Sequence, residues 1–150
     1  MRIVIIGGGI AAAYMANTIK KNRSDVDVLI LSDETSSPYD RIHLCALVDK
    51  SVTIEDIALP VDPTVQIELN EKITSIDRTS KRVFSDHSVF TYDKLIIATG
   101  SLPQTLFDIS GLKNAAVFRN ADDCRKIAEG IDKREVVIVG SGPIGLELME

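Results

Sequence analysis

Cysteine is scarce: Cys45 and Cys124 are the only two in 150 residues, and they sit at no C-x-x-C spacing. That excludes a disulfide framework and makes a reducing, cytoplasmic setting the expectation. No apolar run approaches the roughly 20 residues a membrane helix needs, so a spanning helix is excluded. Met1-Arg2 ahead of Ile3 to Ile6 is not an export leader, because Gly7-Gly8-Gly9 follows at once, as a turn follows a strand. Basic residues are outnumbered, 17 against 22 acidic, for a net charge of −5, and they form no dense patch; nucleic-acid binding through phosphate contacts is excluded. The two histidines, His43 and His87, lie far apart without metal-like neighbours, so no metal site is expected. There is no G-x-S-x-G, and no phosphate-loop lysine follows a glycine turn, which removes hydrolase and phosphate-loop readings.

What is present is a core: 45% of the residues are hydrophobic, enough to exclude general disorder. The length suits one domain or one and a fraction. Residues 2 to 6 are a β-branched run of the kind buried on both faces of a parallel sheet. The three glycines end it, an Ala-rich helix over Ile10 to Asn22 follows with Lys20, Lys21 and Arg23 at its C-terminal end, and Val26 to Leu31 reads as a second strand. This is a βαβ unit. Residues 35 to 65, with Pro38, Pro60 and Pro63, read as loops around a helical patch. Gln66 to Leu69, Lys72 to Ile76, Arg82 to Phe84 and Ser88 to Phe90 alternate like a small antiparallel meander. Lys94 to Ala98 is another buried strand, Asp108 to Gly111 a loop, Ala121 to Ile131 a helix and Arg134 to Val139 a last strand.

Ile3 to Ala12 is echoed by Val136 to Gly145 at an offset of 133 residues, so two strand, glycine-turn, helix units begin here. The first closes at Glu34, 27 positions after Gly7; the same step from Gly140 lands beyond Glu150. The expected fold class is therefore α/β: a Rossmann-like nucleotide-binding domain with a parallel sheet and a small antiparallel meander over residues 1–110, then a connection and the start of a second dinucleotide-binding domain over 111–150. The helix opened by the second turn is expected to run on to Glu150, in a piece of a longer protein.

In the first turn, Gly7 permits the tight bend, Gly9 lets the backbone approach a pyrophosphate, and Ala12 keeps the helix close to the strand. Helix-start N–H groups and the helix dipole hold the negative oxygens. Glu34, closing the strand with Ser32 and Asp33 beside it, is placed to accept hydrogen bonds from an unphosphorylated ribose. Gly140, Gly142 and Gly145 repeat the pattern without a closing strand or acid, and nothing in them separates NADH from NADPH.

With these motifs, and with Tyr92-Asp93-Lys94-Leu95-Ile96-Ile97-Ala98-Thr99-Gly100-Ser101 between them, the sequence resembles the pyridine nucleotide-disulfide oxidoreductase superfamily across its whole length. Within it, Pro38-Tyr39-Asp40-Arg41-Ile42-His43-Leu44 looks most like the large subunits of NAD(P)H-dependent nitrite reductases, with rubredoxin reductases and NADH oxidases close behind. The resemblance implies an oxidoreductase in which FAD is reduced by NAD(P)H and electrons pass to an acceptor. It implies that Gly7, Gly9, Ile10, Ala11 and Ala12 meet the FAD pyrophosphate and Glu34, with Ser32 and Asp33, the adenosine ribose. Arg41 would lie near the flavin, Ile73 would offer backbone to the adenine, and Ala98-Thr99-Gly100 would close over the cofactor. Gly140, Gly142 and Gly145 would serve the nicotinamide nucleotide. The family's later Gly-Asp segment, which completes the FAD domain, is not in these residues, so the chain alone is expected to turn over weakly or not at all. Relatives continue Leu-Ser-Lys where this chain has Leu44-Cys45-Ala46, and those with a redox cysteine place it about where Ala46 stands. A small structural residue is the preferred reading of Cys45, and also of Cys124.

A contrasting function is a non-catalytic nucleotide-binding module that completes its fold with a partner chain or as a homo-oligomer, because a strand at Glu135 to Val139 would leave an open edge. Asp122-Asp123 reads as helix capping, His87 as a solvated hairpin tip and Glu147 as helix-surface charge.

Overall fold

A computed structural model of the protein, describing residues 1–105, 108–131 and 135–149, places strand β1 at Arg2–Ile6, helix α1 at Ile10–Asn22 and strand β2 at Asp27–Leu31. The chain divides into two compact units, Met1–Asp40 with Ala58–Ser101, and Arg41–Ile57 with Leu102–Glu150.

In the first unit β1 and β2 run parallel, with Ile5 opposite Ile30. Their side chains alternate between two faces. Ile3 and Ile5 of β1 and Val28 and Ile30 of β2 pack under α1, whose inner face is the small set Ala12, Ala13 and Ala16. Small residues let the helix ride close to the sheet, and full burial of each large aliphatic contributes about 1.5–3 kcal/mol. Val4, Ile6, Leu29 and Leu31 point to the other face, where they meet Ile73, Val83 and Phe90. That second layer is the antiparallel sheet of β4 (Ile73–Asp77), β5 (Arg82–Ser85) and β6 (Val89–Thr91).

Strand β7, Lys94–Ile97, adds in parallel on the far side of β1. Strand β3, Gln66–Glu68, pairs parallel with β2, giving the order β3-β2-β1-β7. This corrects the expectation that Gln66 to Leu69 opens the meander. Ile67 packs against the helix-side core with Val65, burial that pairing with β2 supplies.

In the second unit a 3-10 turn, Arg41–His43, leads into helix α2 (Leu44–Val48), followed by α3 (Ala121–Gly130) and α4 (Pro143–Glu147). Asn120 caps α3: its side-chain oxygen accepts from the Asp123 N–H at 2.9 Å, while the Asp123 carboxylate accepts from the Asn120 N–H at 3.2 Å. Two expectations fail here. Glu135 to Val139 forms no strand, and Val137 is 85% exposed; its apolar pattern suits a buried strand, but no described residues pair with it (Arg134 lies outside the described residues). Helix α4 ends at Glu147 rather than running on, and Glu150 also lies outside the described residues. Among the described residues no helix is long and apolar enough to cross a membrane.

Candidate functional site

The turn after β1 is tied to both neighbouring strands. Gly7 donates its N–H to the Leu31 carbonyl at 2.8 Å and has φ +114°. A Cβ on Gly7 would lie 2.2 Å from the Ala98 carbonyl oxygen. Gly8 is crowded by a side chain rather than by backbone: a Cβ there would lie 2.3 Å from the Ser32 Oγ and 2.7 Å from its Cβ. The glycine spacing marks the first position; the need for the second comes from Ser32, on the next strand's end, and is invisible in the spacing.

Gly9 is the N-cap of α1 and supplies no side-chain cap, and no acid lies in the first helical turn. The Gly9 carbonyl accepts from Ala12 and Ala13 at 3.0 and 3.1 Å, whereas the N–H groups of Gly9, Ile10 and Ala11 meet no acceptor among the described residues. Three donors at the positive end of a 13-residue helix dipole are thus left for an anion. Helix α3, capped by Asn120 with Asp122 and Asp123 in its first turn, shows the usual alternative.

At the end of β2, Ser32 is fully buried; its N–H donates to the Glu68 carbonyl at 2.9 Å and its Oγ accepts from the Glu34 N–H at 3.2 Å. Its side chain therefore shapes the turn from within, while Asp33 is exposed. Glu34 is half-buried, and the Tyr39 hydroxyl donates to its Oε2 at 2.5 Å. Tyr39 was not singled out in the sequence as a site residue. Ala98 donates to the Ile6 carbonyl at 2.8 Å, and Gly100 turns the chain with φ +71°. Gly7, Ser32, Ala98 and Thr99 are thus gathered around one turn, with Glu34 at the end of the adjoining strand, whereas Ile73 starts β4 against the meander-side core.

Arg41 and the second glycine motif belong to the other unit. There Gly140 has φ +127°, Gly142 is the N-cap of α4, and a Cβ on Gly145 would lie 2.3 Å from the Gly140 carbonyl oxygen. A side chain at the third glycine would thus run into the backbone of the first. Arg41 donates from Nη1 to the Arg119 carbonyl at 3.0 Å beside a hollow of about 270 Å³ that Leu44, Phe118, Ile144 and Glu147 also line. The Cys45 thiol donates to Glu147 Oε2 at 3.6 Å.

Cys124 is buried, with its thiol donating to the Leu44 carbonyl at 3.5 Å. Burial first, then the neighbouring Asp123 and Cys45, pushes its pKa up to about 12. The thiolate is the reactive form, so Cys124 should react with iodoacetamide at pH 8 about a thousandfold more slowly in the native chain than after unfolding; mass spectrometry of the labelled peptide reads this, and prompt native labelling would contradict the burial.

A parallel strand, a strained glycine turn, a helix start with unclaimed amides and a carboxylate at the end of the next strand define a dinucleotide-binding α/β domain. Comparison with known proteins gives the particular family. The sequence profile described as "Pyridine nucleotide-disulphide oxidoreductase" matches residues 1–150, and the chain belongs to that family, whose members are oxidoreductases that bind FAD and NAD(P)H. It is 32% identical over 158 residues to the rubredoxin-NAD(+) reductase of Pseudomonas putida, covering 99% of this chain and 41% of that protein. It is 29% identical over 156 residues to the assimilatory nitrate reductase electron transfer subunit of Bacillus subtilis, covering 97% and 20%. Among solved structures, putidaredoxin reductase in its covalent complex with putidaredoxin superposes with a TM-score of 0.82 at 26% identity, covering 98% of this chain and 38% of that one. The chain spans about two fifths or less of the length of these curated relatives.

Proposed function

We propose that this chain holds FAD through the turn at Gly7, Gly9, Ile10, Ala11 and Ala12, as part of an NAD(P)H-dependent reductase that passes electrons to an acceptor. The observation that carries this reading is the start of α1, where the Gly9, Ile10 and Ala11 N–H groups have no acceptor among the described residues and no acid competes for them. The site residues fit the group: the amides suit a pyrophosphate, Glu34 suits ribose hydroxyls, and glycine at 7 and 8 keeps side chains out of the tightest part of the turn. Within the first unit Ile73, Ala98, Thr99 and Gly100 complete the flavin site, and in the second Gly140, Gly142 and Gly145 take the nicotinamide nucleotide. When bound, the flavin supplies the chemistry, accepting hydride from the nicotinamide and releasing electrons onward. The chain's own residues bind and orient.

Within the family, the segment Pro38 to Leu44 supports a nitrite reductase large-subunit type of enzyme, and the Bacillus relative named for nitrate assimilation adds to that support. A rubredoxin reductase or NADH oxidase type is the alternative. Neither Cys45 nor Cys124 is in a disulfide, which supports a cytoplasmic location.

The test is the visible spectrum of the chain after incubation with FAD and gel filtration. Retained, stoichiometric flavin that NAD(P)H bleaches supports the reductase; a chain that emerges colourless overturns it. The exposed run at Val136, Val137 and Val139 favours one second reading, a binding module completed by a partner chain; that module would hold flavin without its reduction by NAD(P)H. Glu34→Ala should weaken FAD affinity by about 1–3 kcal/mol through loss of a charged hydrogen bond, read by fluorescence titration; unchanged affinity would remove Glu34 from the ribose site.

A further inference from the structure

Tyr39 is 2% exposed, and its hydroxyl reaches Glu34 Oε2 at 2.5 Å. We infer that Tyr39 is a positioning residue of the nucleotide site, holding the Glu34 carboxylate in the orientation that receives the adenosine ribose; this rests on the assignment of Glu34 to that ribose.

The anchoring of Tyr39 favours this role. Its backbone forms an antiparallel bridge with Ala58, and the preceding Pro38, also buried, accepts the Leu59 N–H at 2.8 Å. The phenol ring is thus fixed by main chain and by packing, so its hydroxyl is a stationary donor. Glu34 gains a second restraint from its own backbone, because its N–H donates to Ser32 Oγ and its carbonyl accepts from the Asn70 N–H at 3.1 Å. A glutamate on an open loop loses rotamer freedom when it closes on a ligand; one already held by a buried phenol loses far less, and the saving appears as affinity. A buried tyrosine hydroxyl needs some acceptor. Here the acceptor is Glu34, the acid at the strand end assigned to the ribose.

The experiment is a double-mutant cycle read as FAD affinity by fluorescence titration, with far-UV circular dichroism to confirm folding. Tyr39→Phe keeps the ring and removes only the hydroxyl, so FAD binding should weaken about tenfold, the scale of a lost hydrogen bond to a charged acceptor. In a Glu34→Ala background the same substitution should change affinity less than twofold, because the group it positions is gone. Equal weakening in both backgrounds would assign the hydroxyl to the general structure of the unit and overturn the inference, as would a Tyr39→Phe chain that does not fold. Unchanged affinity in Tyr39→Phe, with the wild-type chain binding FAD, overturns it alone; a wild-type chain that binds no FAD overturns the functional reading and this inference with it.

Discussion

Gly7→Ala is expected to destabilise the first unit by about 2–6 kcal/mol, combining a left-handed backbone strain of about 1–3 kcal/mol with an overpacking term of about 1–3 kcal/mol. The strain arises because φ is +114°, a conformation L side chains rarely adopt. The overpacking arises because the new methyl would sit 2.2 Å from the Ala98 carbonyl oxygen, a backbone atom that β7 holds in register with β1. Neither stress has an easy outlet, since Gly7 is also hydrogen-bonded to Leu31. For a chain of this size the melting temperature should fall by about 5–20 °C. Circular dichroism melts of both proteins check it, and a shift of under about 2 °C would show that the turn opens more readily than the structure allows.

Ile30→Ala should lower stability by about 2–5 kcal/mol, because it leaves a cavity where the sheet is covered by α1. Ile30 is fully buried, pairs with Ile5 across the two central strands and shares a cluster with Ala12 and Ala16. The alanines cannot fill the space, and moving the helix inward would disturb the glycine turn that starts it. Ile97→Ala, at a strand residue that is 64% exposed, is the matched control and should fall within about 0.5 kcal/mol of wild type. Urea unfolding of both variants decides the matter; equal losses at the two positions would contradict the placement of the core.

The elements legible in the sequence were those whose surroundings their own residues determine. β1, α1 and β2 announced themselves because a strand covered on both faces must be apolar throughout and a helix on it must present small residues at helical spacing. β3 misled for the opposite reason: it is a three-residue edge strand with Gln66 and Glu68 exposed, so it alternates like an antiparallel strand although it pairs in parallel. Glu135 to Val139 misled because apolar residues qualify a segment for a sheet, while only neighbouring strands make it one. In the site, Gly7, Gly9 and Glu34 follow from spacing along one βαβ unit. Gly8 and Tyr39 do not, since their partners, Ser32 and Glu34, are chosen by how strand ends and loops meet in space.

The strand order carries a consequence for synthesis. β1 is made first, but its partner β7 lies about 90 residues later, and the two must pair in parallel. At ribosomal rates of about 5–20 residues per second, the flank of Ile3 to Ile6 waits roughly 5–20 s for Lys94 to Ile97. During that interval one edge of this apolar strand is unpaired, and the carbonyl of Ala98 that later closes on Gly7 does not yet exist. The nascent chain is therefore most vulnerable to aggregation before residue 98 emerges, and a chaperone or slowed translation would matter most within that window.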